Sequence, residues 1–236
     1  MKNSQLLVVT PTYNEAENIE YFMQNVKSLG LDLLIVDDNS PDGTSNLVRK
    51  FADKSNGLFL ITRGGKLGLG SAYREGFNWA LNKNYNSIIE MDADFSHTFE
   101  DLQNLIKQTK NTDLVIGSRY IDGGSTLGWD FKRKLLSKTA NIVTKYLVGS
   151  SVNDLTSGFR IYSHGALKKI DFNNIKSDGY SFQIEMTCEA MKNNLRVKEY
   201  PITFSERRLG KSKMDIWIIL EALRTIFSLF FKRYID

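Results

Sequence analysis

Asp92 and Asp94 stand one residue apart at the end of an apolar run, Ile88-Ile89-Glu90-Met91. A buried strand of a parallel sheet reads this way when it delivers acids to its carboxyl end. In open α/β sheets, ligands bind outside those ends. Two carboxylates this close repel one another unless a cation sits beside them. Mg²⁺ or Mn²⁺ is the usual answer, because hard divalent ions take carboxylate oxygens and keep positions open for substrate phosphates. The spacing points to metal-assisted chemistry on a phosphate or nucleoside diphosphate, against the plainer reading of a turn or helix cap. A second acid pair, Asp37-Asp38, closes another apolar run, Leu33 to Val36. Two strands that both end in acids are less easily assigned to turn-capping alone.

The elements that must position these acids alternate. Leu6 to Thr10 reads as a strand ending in Pro11-Thr12-Tyr13-Asn14-Glu15. A helix follows to about Leu29, with Asn14 as the expected N-cap, Glu15 and Glu17 in the first turn, and Gly30 at the end. After the second strand, Asp42-Gly43 is a turn and Thr44 to about Asp53 a helix. Leu58 to Thr62 is the third strand, then comes Arg63-Gly64-Gly65-Lys66-Leu67-Gly68-Leu69-Gly70. This segment lacks the third glycine of a dinucleotide fingerprint, since Tyr73 stands there, and lacks the ending of a P-loop. It reads either as a generic phosphate-cradling loop or as a loop with solvated Arg63 and Lys66. A helix from about Ser71 to Asn82 precedes the Asp92/Asp94 strand. Thr98 with Asp101 resembles a capping box for a helix to about Thr109, and Asp113 to Gly117 is the fifth strand. The alternation predicts a doubly wound, mostly parallel α/β sheet with helices on both faces.

Beyond residue 120 the pattern changes. A helix from Arg133 to Val148 carries the apolar set Leu135, Leu136, Ile142, Val143, Tyr146 and Leu147. Lys134, Lys138, Asn141 and Lys145 form a polar stripe at helical spacing, either a solvated face or a contact for anionic headgroups. Asp154 to Arg160 is turn-rich and leads to another strand. Ser181 to Asn193 reads as a helix and Val197 to Phe204 as a late strand. Ser205 to Lys213 is a basic, glycine-containing loop suited to gripping phosphate. Ile216 to Phe231 is densely apolar with one narrow polar stripe, Glu221, Arg224, Ser228 and Lys232. As a helix it spans ~24 Å, short of the ~30 Å hydrocarbon core. It therefore lies on a surface, either its own domain or a membrane interface.

Length and composition fit one domain with a tail: 236 residues, 42% hydrophobic and 25% charged. A net charge of +4 is a mild basic excess. It suits acidic small molecules or an anionic membrane surface and does not by itself mark a nucleic-acid binder. The single cysteine, Cys188, excludes an intrachain disulfide. With no leader pattern and no run of membrane-spanning length, the expected compartment is the cytoplasm.

Four segments in this order carry a family resemblance: Pro11-Thr12-Tyr13-Asn14-Glu15; Val36-Asp37-Asp38-Asn39-Ser40-Pro41-Asp42-Gly43; Asp92-Ala93-Asp94; and Arg207 to Lys213 after Pro201-Ile202-Thr203-Phe204. The chain resembles the family 2 glycosyltransferases of GT-A fold, and among them the dolichol-phosphate (polyprenol-phosphate) mannose synthases, over roughly residues 5–214. The resemblance implies a catalytic domain over 1–214 and an amphipathic C-terminal helix over 215–236. It implies an inverting, metal-dependent transfer of mannose from GDP-mannose to a polyprenyl phosphate. Pro11, Tyr13, Glu15, Val36 and Asp38 would bind the donor nucleoside, and Asp92 and Ala93 would line the donor site. Asp94 would ligate Mg²⁺ or Mn²⁺, with Ser96 at a position often occupied by a metal-binding Gln in this family. Arg119 and Arg207 would bridge donor diphosphate and acceptor phosphate, helped by Lys213, so that Asp94, Arg119 and Arg207 form the catalytic set. Arg133 and Ser137 would bind the lipid phosphate. The family setting implies peripheral association with the cytoplasmic face of a membrane, and it leaves room for a membrane-anchoring partner subunit.

Three other readings compete. A UDP-glucose-using polyprenyl-phosphate glucosyltransferase would keep the mechanism and change the sugar. Asp92-x-Asp94-x-Ser96 after an apolar strand imitates an aspartate-nucleophile phosphatase, with Asp92 as nucleophile, but that chemistry has no use for the first acid-ended strand. A non-catalytic nucleotide-binding module would use its tail as a protein interface. Metal-dependent turnover of a sugar nucleotide separates the last reading from the first.

Overall fold

The computed structural model describes residues 5–52, 57–206 and 224–231. The chain begins with β1 (Leu6–Thr12), α1 (Ala16–Ser28), β2 (Asp32–Asp37), α2 (Thr44–Phe51), β3 (Leu58–Thr62), α3 (Leu69–Leu81), β4 (Ser87–Glu90), α4 (Phe99–Lys107) and β5 (Leu114–Ser118). It continues with β6 (Ser125–Leu127), α5 (Phe131–Val148), β7 (Arg160–Ser163), α6 (His164–Lys169), α7 (Gly179–Lys192), β8 (Val197–Pro201) and β9 (Thr203–Ser205). Residues 224–231 are helical.

The main sheet has seven strands in the order β3-β2-β1-β4-β7-β5-β8, and β6 and β9 form a separate pair. All pairings in the main sheet are parallel except those of β7, which runs antiparallel between β4 and β5. Alternate strand residues feed two cores. Val8, Leu33, Ile35 and Ile89 pack with Ile19 and Phe22 of α1, Val48 of α2 and Leu102 of α4. Val9, Leu34, Val36 and Ile88 pack with Tyr73 and Phe77 of α3, Leu167 of α6 and Phe182 of α7. The fully buried strands explain the unbroken apolar runs, and the expected α/β sheet with helices on both faces is present.

Several local expectations change. Asn14 does not cap α1. It sits at φ +60°, and Glu15 takes the N-cap position with no side-chain cap bond. The start of α1 is tied instead to the β2–α2 loop. Asn14 N–H donates to Ser40 Oγ, Glu15 N–H to Thr44 Oγ1 and Ala16 N–H to Asp42 Oδ2. Thr98 does cap α4, accepting from Asp101 N–H at 3.0 Å. The late strand splits at buried Ile202, so that β8 stays in the main sheet and β9 leaves to join β6.

Helix α5 is turned the other way from a core helix. Asn141 and Thr144 are its buried residues, while Phe131, Leu135, Leu136, Ile142, Val143 and Tyr146 are exposed. The expected lysine stripe is therefore not one free face. Lys134 and Lys138 are exposed, Asn141 is 2% exposed, and Lys145 donates to Asn153 Oδ1. Of the apolar tail, 216–223 lies outside the described residues. In 224–231, Ile226 is buried and Phe227 and Phe231 are exposed.

Helix α3 meets β1 closely at Gly76, where a Cβ would overlap the Val9 side chain. Gly76→Ala should thus cost about 1–3 kcal/mol through overpacking, despite the better helix propensity of alanine. Urea unfolding should show a lower midpoint with an unchanged slope; an unchanged or higher midpoint would mean that α3 and β1 separate freely.

Candidate functional site

A cavity of about 520 Å³ opens at the carboxyl ends of β1, β2 and β4. Because β1 lies between β2 and β4, the turn Pro11 to Glu15 is flanked by both acid pairs. Of the sequence-predicted residues, the cavity is lined by Pro11, Tyr13, Glu15, Asp38, Asp92, Ala93, Asp94, Arg119 and Arg133. Val36, Ser96 and Ser137 are not among its lining; Ser96 is fully buried in the turn behind Asp94. Val36 is fully buried in the core, and Ser137 Oγ accepts the Tyr120 hydroxyl at 2.6 Å. Arg207 and Lys213 lie outside the described residues.

The two acid pairs do different jobs. Asp37 is fully buried and accepts from Thr12 Oγ1, from the N–H and Oγ of Ser40, and from Ser45 Oγ. It is structural and locks the β2–α2 turn. Asp38 lines the cavity and pairs with Arg63, Oδ1 to Nη1 at 2.8 Å. Its Oδ2 accepts from the N–H groups of Leu67 and Gly68 at 3.0 and 3.1 Å. The glycine-rich loop thus spends these amides on a carboxylate, and Arg63 is buried rather than solvated. Lys66 reaches over the Tyr13 ring, 4.8 Å from its centroid, a cation–π contact on the cavity wall.

Asp92, Ala93 and Asp94 open a compact turn with Phe95 at φ +59°. The Phe95 ring is anchored against Tyr21, Phe22 and Phe99. Asp94 Oδ1 accepts the Ser96 N–H at 3.0 Å, and Ser96 Oγ is buried with no hydrogen-bond partner. A carboxylate beside an orphaned hydroxyl suits a hard cation that completes its shell with phosphate oxygens and water. Among the described residues no group of three or more His, Cys, Asp or Glu side chains is placed to bind a metal; Asp94 and Ser96 are neighbouring oxygen donors in this turn. His97, next in the turn, stacks on Phe159 at 4.5 Å. Burial pushes its imidazole down to about 4, with Asp94 opposing and Arg119 reinforcing that shift; it is neutral at physiological pH.

Arg119 forms the opposite wall. Its Nε and Nη2 grip the two Asp154 oxygens at 2.7 Å each, and Nη2 also reaches Thr156 Oγ1 at 2.8 Å. The rings of Tyr120, Trp129 and Phe204 surround its guanidinium. Burial alone would raise the Asp154 carboxyl, but Arg119 outweighs it and holds the group below the usual carboxylate range. Arg133 lies over Trp129 at 4.2 Å and pairs with Glu206 at 2.9 Å.

Behind the cavity floor lies a polar cluster that periodicity alone did not single out. Glu90 is fully buried, and neither of its oxygens makes a hydrogen bond of normal geometry. Burial pushes its carboxyl up to about 8; Arg160, opposite it in the β4–β7 register, and the nearby Gln183 amide oppose the shift, and Asp92 adds to it. Both amide atoms of Gln183 and the Tyr73 hydroxyl are likewise buried without a hydrogen-bond partner of normal geometry. Such groups cost about 1–3 kcal/mol each when left unpaired. Tyr73, Gln183, Trp129 and Asp178 all line the cavity, and none was picked out as a site residue from the sequence. The available signal was Gln183 itself, an amide between Phe182 and Ile184 on a helix whose other inward positions are mostly apolar.

Comparison with known proteins identifies the family and the fold. The sequence family described as Glycosyl transferase family 2 matches residues 7–171. The polyprenol monophosphomannose synthase of Mycolicibacterium smegmatis is 43% identical over 221 residues, covering 92% of this chain and 83% of that protein. The undecaprenyl-phosphate mannosyltransferase of Micrococcus luteus is 39% identical, covering 93% and 91%. Among solved structures, glucosyl-3-phosphoglycerate synthase from Mycobacterium tuberculosis, in complex with Mn²⁺, UDP-glucose and phosphoglyceric acid, superposes with a TM-score of 0.68 at 17% identity, covering 96% of this chain and 80% of that one. That likeness shows the fold.

The Glu90 carboxyl couples the cluster to pH. Its ordinary value is 4.5 and its value in the fold about 8. Below 4.5 both folded and unfolded states hold the proton. Between 4.5 and 8 the fold keeps a proton that the unfolded chain has released, so this group's contribution to stability falls as pH rises and levels off above 8. At about 1.4 kcal/mol per pH unit the loss is on the order of a few kcal/mol. Glu90→Gln should match wild type in thermal midpoint at pH 4 and exceed it at pH 8. A difference independent of pH would mean that Glu90 is ionised inside the fold.

Proposed function

Because the chain belongs to glycosyl transferase family 2, we propose that it is an inverting transferase that moves mannose from GDP-mannose to a polyprenyl (dolichyl-type) phosphate, with Mg²⁺ or Mn²⁺ as cofactor. The observation that carries the reading is the single cavity that collects Pro11 to Glu15, Asp38, Asp92 to Asp94, Arg119 and Arg133. The names of the two relatives support mannose as the sugar and a polyprenyl phosphate as the acceptor. The aspartate-nucleophile alternative finds no support, because Asp38 and the first acid-ended strand line the same cavity as Asp92.

The residues take the following parts. Pro11, Tyr13, Glu15 and Asp38 hold the nucleoside; Lys66 backs the Tyr13 ring and Arg63 fixes the Asp38 carboxylate. Asp92 and Ala93 line the donor site. Asp94 and Ser96 would hold a divalent cation, which would supply positive charge against the donor diphosphate. Arg119 faces the phosphates in an orientation set by Asp154, and Arg207 and Lys213 add positive charge. Arg133 and Ser137 receive the lipid phosphate. An acceptor phosphate is already ionised at neutral pH. Its oxygen attacks the anomeric carbon from the face opposite the leaving diphosphate, which inverts the configuration and requires no general base. Stabilisation of the departing diphosphate by fixed positive charge is the main catalytic contribution.

Residues 1–214 are proposed as the catalytic domain and 215–236 as an amphipathic C-terminal helix that lies at the cytoplasmic face of a membrane, with room for an anchoring partner subunit. Exposure along α5 supports a membrane surface but changes which side chains meet it. Phe131, Leu135, Leu136, Ile142, Val143 and Tyr146 are exposed beside Lys134 and Lys138. This arrangement of apolar face and flanking cations matches an interfacial helix, and no helix among the described residues is long and apolar enough to cross a membrane.

Radiolabel transfer from GDP-mannose to a polyprenyl phosphate should occur with Mg²⁺ or Mn²⁺ and fall by at least about a hundredfold in Asp94→Ala. Transfer from UDP-glucose alone would replace the sugar and the base. Ile142→Glu with Tyr146→Glu should release the protein from anionic vesicles in co-sedimentation while leaving the thermal midpoint unchanged; vesicle binding equal to wild type would remove α5 from the membrane contact.

A further inference from the structure

The donor reading leaves the buried floor of the cavity without a role. Gln183 is 2% exposed and Tyr73 fully buried. Both line the cavity, and the Gln183 Oε1 and Nε2 and the Tyr73 hydroxyl have no hydrogen-bond partner of normal geometry. Neither side chain is loosely placed. The main-chain carbonyl of Gln183 accepts from Arg160 Nη1 and Thr187 Oγ1 at 3.0 and 2.9 Å, which fixes α7 at this residue. The Tyr73 ring lies parallel to Phe182, at 6.1 Å with 6° between planes, and stacks on Phe77. The Tyr73 ring and the helix backbone that carries Gln183 are therefore held in position before any ligand arrives, as a recognition site requires.

The chemistry of these ends selects the ligand. An amide offers two donors and two acceptor positions, and a phenol offers one donor and an acceptor. Phosphate oxygens only accept, so a phosphate would leave Oε1 unpaired. Two carboxyl groups, Asp92 and Glu90, also act electrostatically on the Tyr73 hydroxyl, which disfavours an anion there. A neutral ring bearing several hydroxyls, each both donor and acceptor, has the chemistry to pair with the Tyr73 hydroxyl and with the amide positions that Gln183 does not turn to Glu90. We propose that Gln183 and Tyr73 form the subsite that binds the sugar hydroxyls of the donor, with Asp92 on the same floor, apart from the nucleoside contacts at Tyr13 and Asp38. This assignment rests on the sugar-nucleotide reading above. A site built to hydrogen-bond a hydroxyl rejects ligands that lack it, because its own buried groups are then left unpaired.

Calorimetric titration of GDP and of GDP-mannose, each with Mn²⁺, tests the assignment on wild type, Tyr73→Phe, Gln183→Met and the double variant. Tyr73→Phe removes one oxygen, and Gln183→Met keeps the length of the side chain. The Kd for GDP-mannose should rise about threefold to fivefold in each single variant and about tenfold or more in the double, while the Kd for GDP moves by less than about twofold. Unliganded thermal midpoints should be no lower than wild type, since removing orphaned polar atoms relieves the fold. If the two ligands weaken equally, or if midpoints fall while sugar binding is unchanged, these groups serve the nucleotide or a buried water and the assignment is overturned. A wild type that binds GDP but gains nothing from the mannose would also overturn the sugar subsite, while leaving the nucleotide site standing. A wild type that binds no nucleotide overturns the donor reading itself.

Discussion

One buried charge organises the working end of the molecule. Arg160 is fully buried at the start of β7 and sits opposite Glu90 on β4. Taking a guanidinium out of water is costly unless its donors are all used. Here they are spent on the chain itself: the carbonyls of Leu155 and Ser157, the carbonyl of Gln183, and the hydroxyls of Thr187 and Tyr162. The first two acceptors belong to the loop that forms the Thr156 to Gly158 wall of the cavity, and the next two belong to α7. A single side chain therefore pins one loop and one helix to the antiparallel strand between β4 and β5. The antiparallel insertion is what brings this arginine to the level of Glu90 and the acid pair two and four residues beyond it.

The acid-ended strands show how one sequence pattern serves unlike purposes. Asp37 receives four donors and is consumed by the β2–α2 turn, so the bland reading of an acid pair as turn chemistry holds for this residue. Asp38, one residue on, is turned to the cavity but held by Arg63 and two amides. Its negative charge is largely compensated before a ligand arrives, which leaves it suited to orienting a neutral base or ribose. Asp94 accepts the Ser96 N–H beside the buried Ser96 hydroxyl, which has no hydrogen-bond partner. The difference lies in what the following loop supplies. Ser40, Ser45 and Thr12 surround the first acid, whereas the second turn sets Asp94 beside the Ser96 hydroxyl at the edge of the cavity.

The sheet was legible from the sequence because its strands are buried on both faces and its helices are not. In a chain with this alternation, unbroken runs such as Leu33 to Val36 and Ile88-Ile89 fit strands covered on both sides and little else. The site was legible as far as charged residues at strand ends revealed it: Asp38, Asp92, Asp94 and Arg119 all reach the cavity. Neutral polar residues from the interior of helices were not. Gln183 and Tyr73 sit within helical patterns, where an inward amide and an inward phenol look like ordinary members of a core face. Their significance lies in what they fail to touch, and a missing partner shows only in three dimensions. Val36 and Ser137 take their expected roles from position in a motif; the fold buries Val36 in the core and sets the Ser137 hydroxyl, as acceptor, against Tyr120.

Helix α5 shows the same limit from the other side. Periodicity establishes that a helix has two unlike faces but not which of them meets the protein. Asn141 decides the matter. Its side chain accepts from Leu155 N–H and donates to Thr156 Oγ1, so it carries the loop that Arg160 also holds. Lys145 reaches Asn153, whose own N–H and amide go to Glu199. A polar network with little unmet demand on the inward face leaves the six large apolar side chains outward. Apolar area contributes roughly 25 cal/mol per Å² when it is buried, and isolated exposed residues of this kind are ordinary. Six on one helix, side by side on its outward face, form a continuous apolar strip of the kind that contact surfaces present. The helix therefore places its polar side against the cavity wall and its apolar side outward: Asn141 holds the loop bearing Thr156 on one side, and Arg133 stands at the cavity rim.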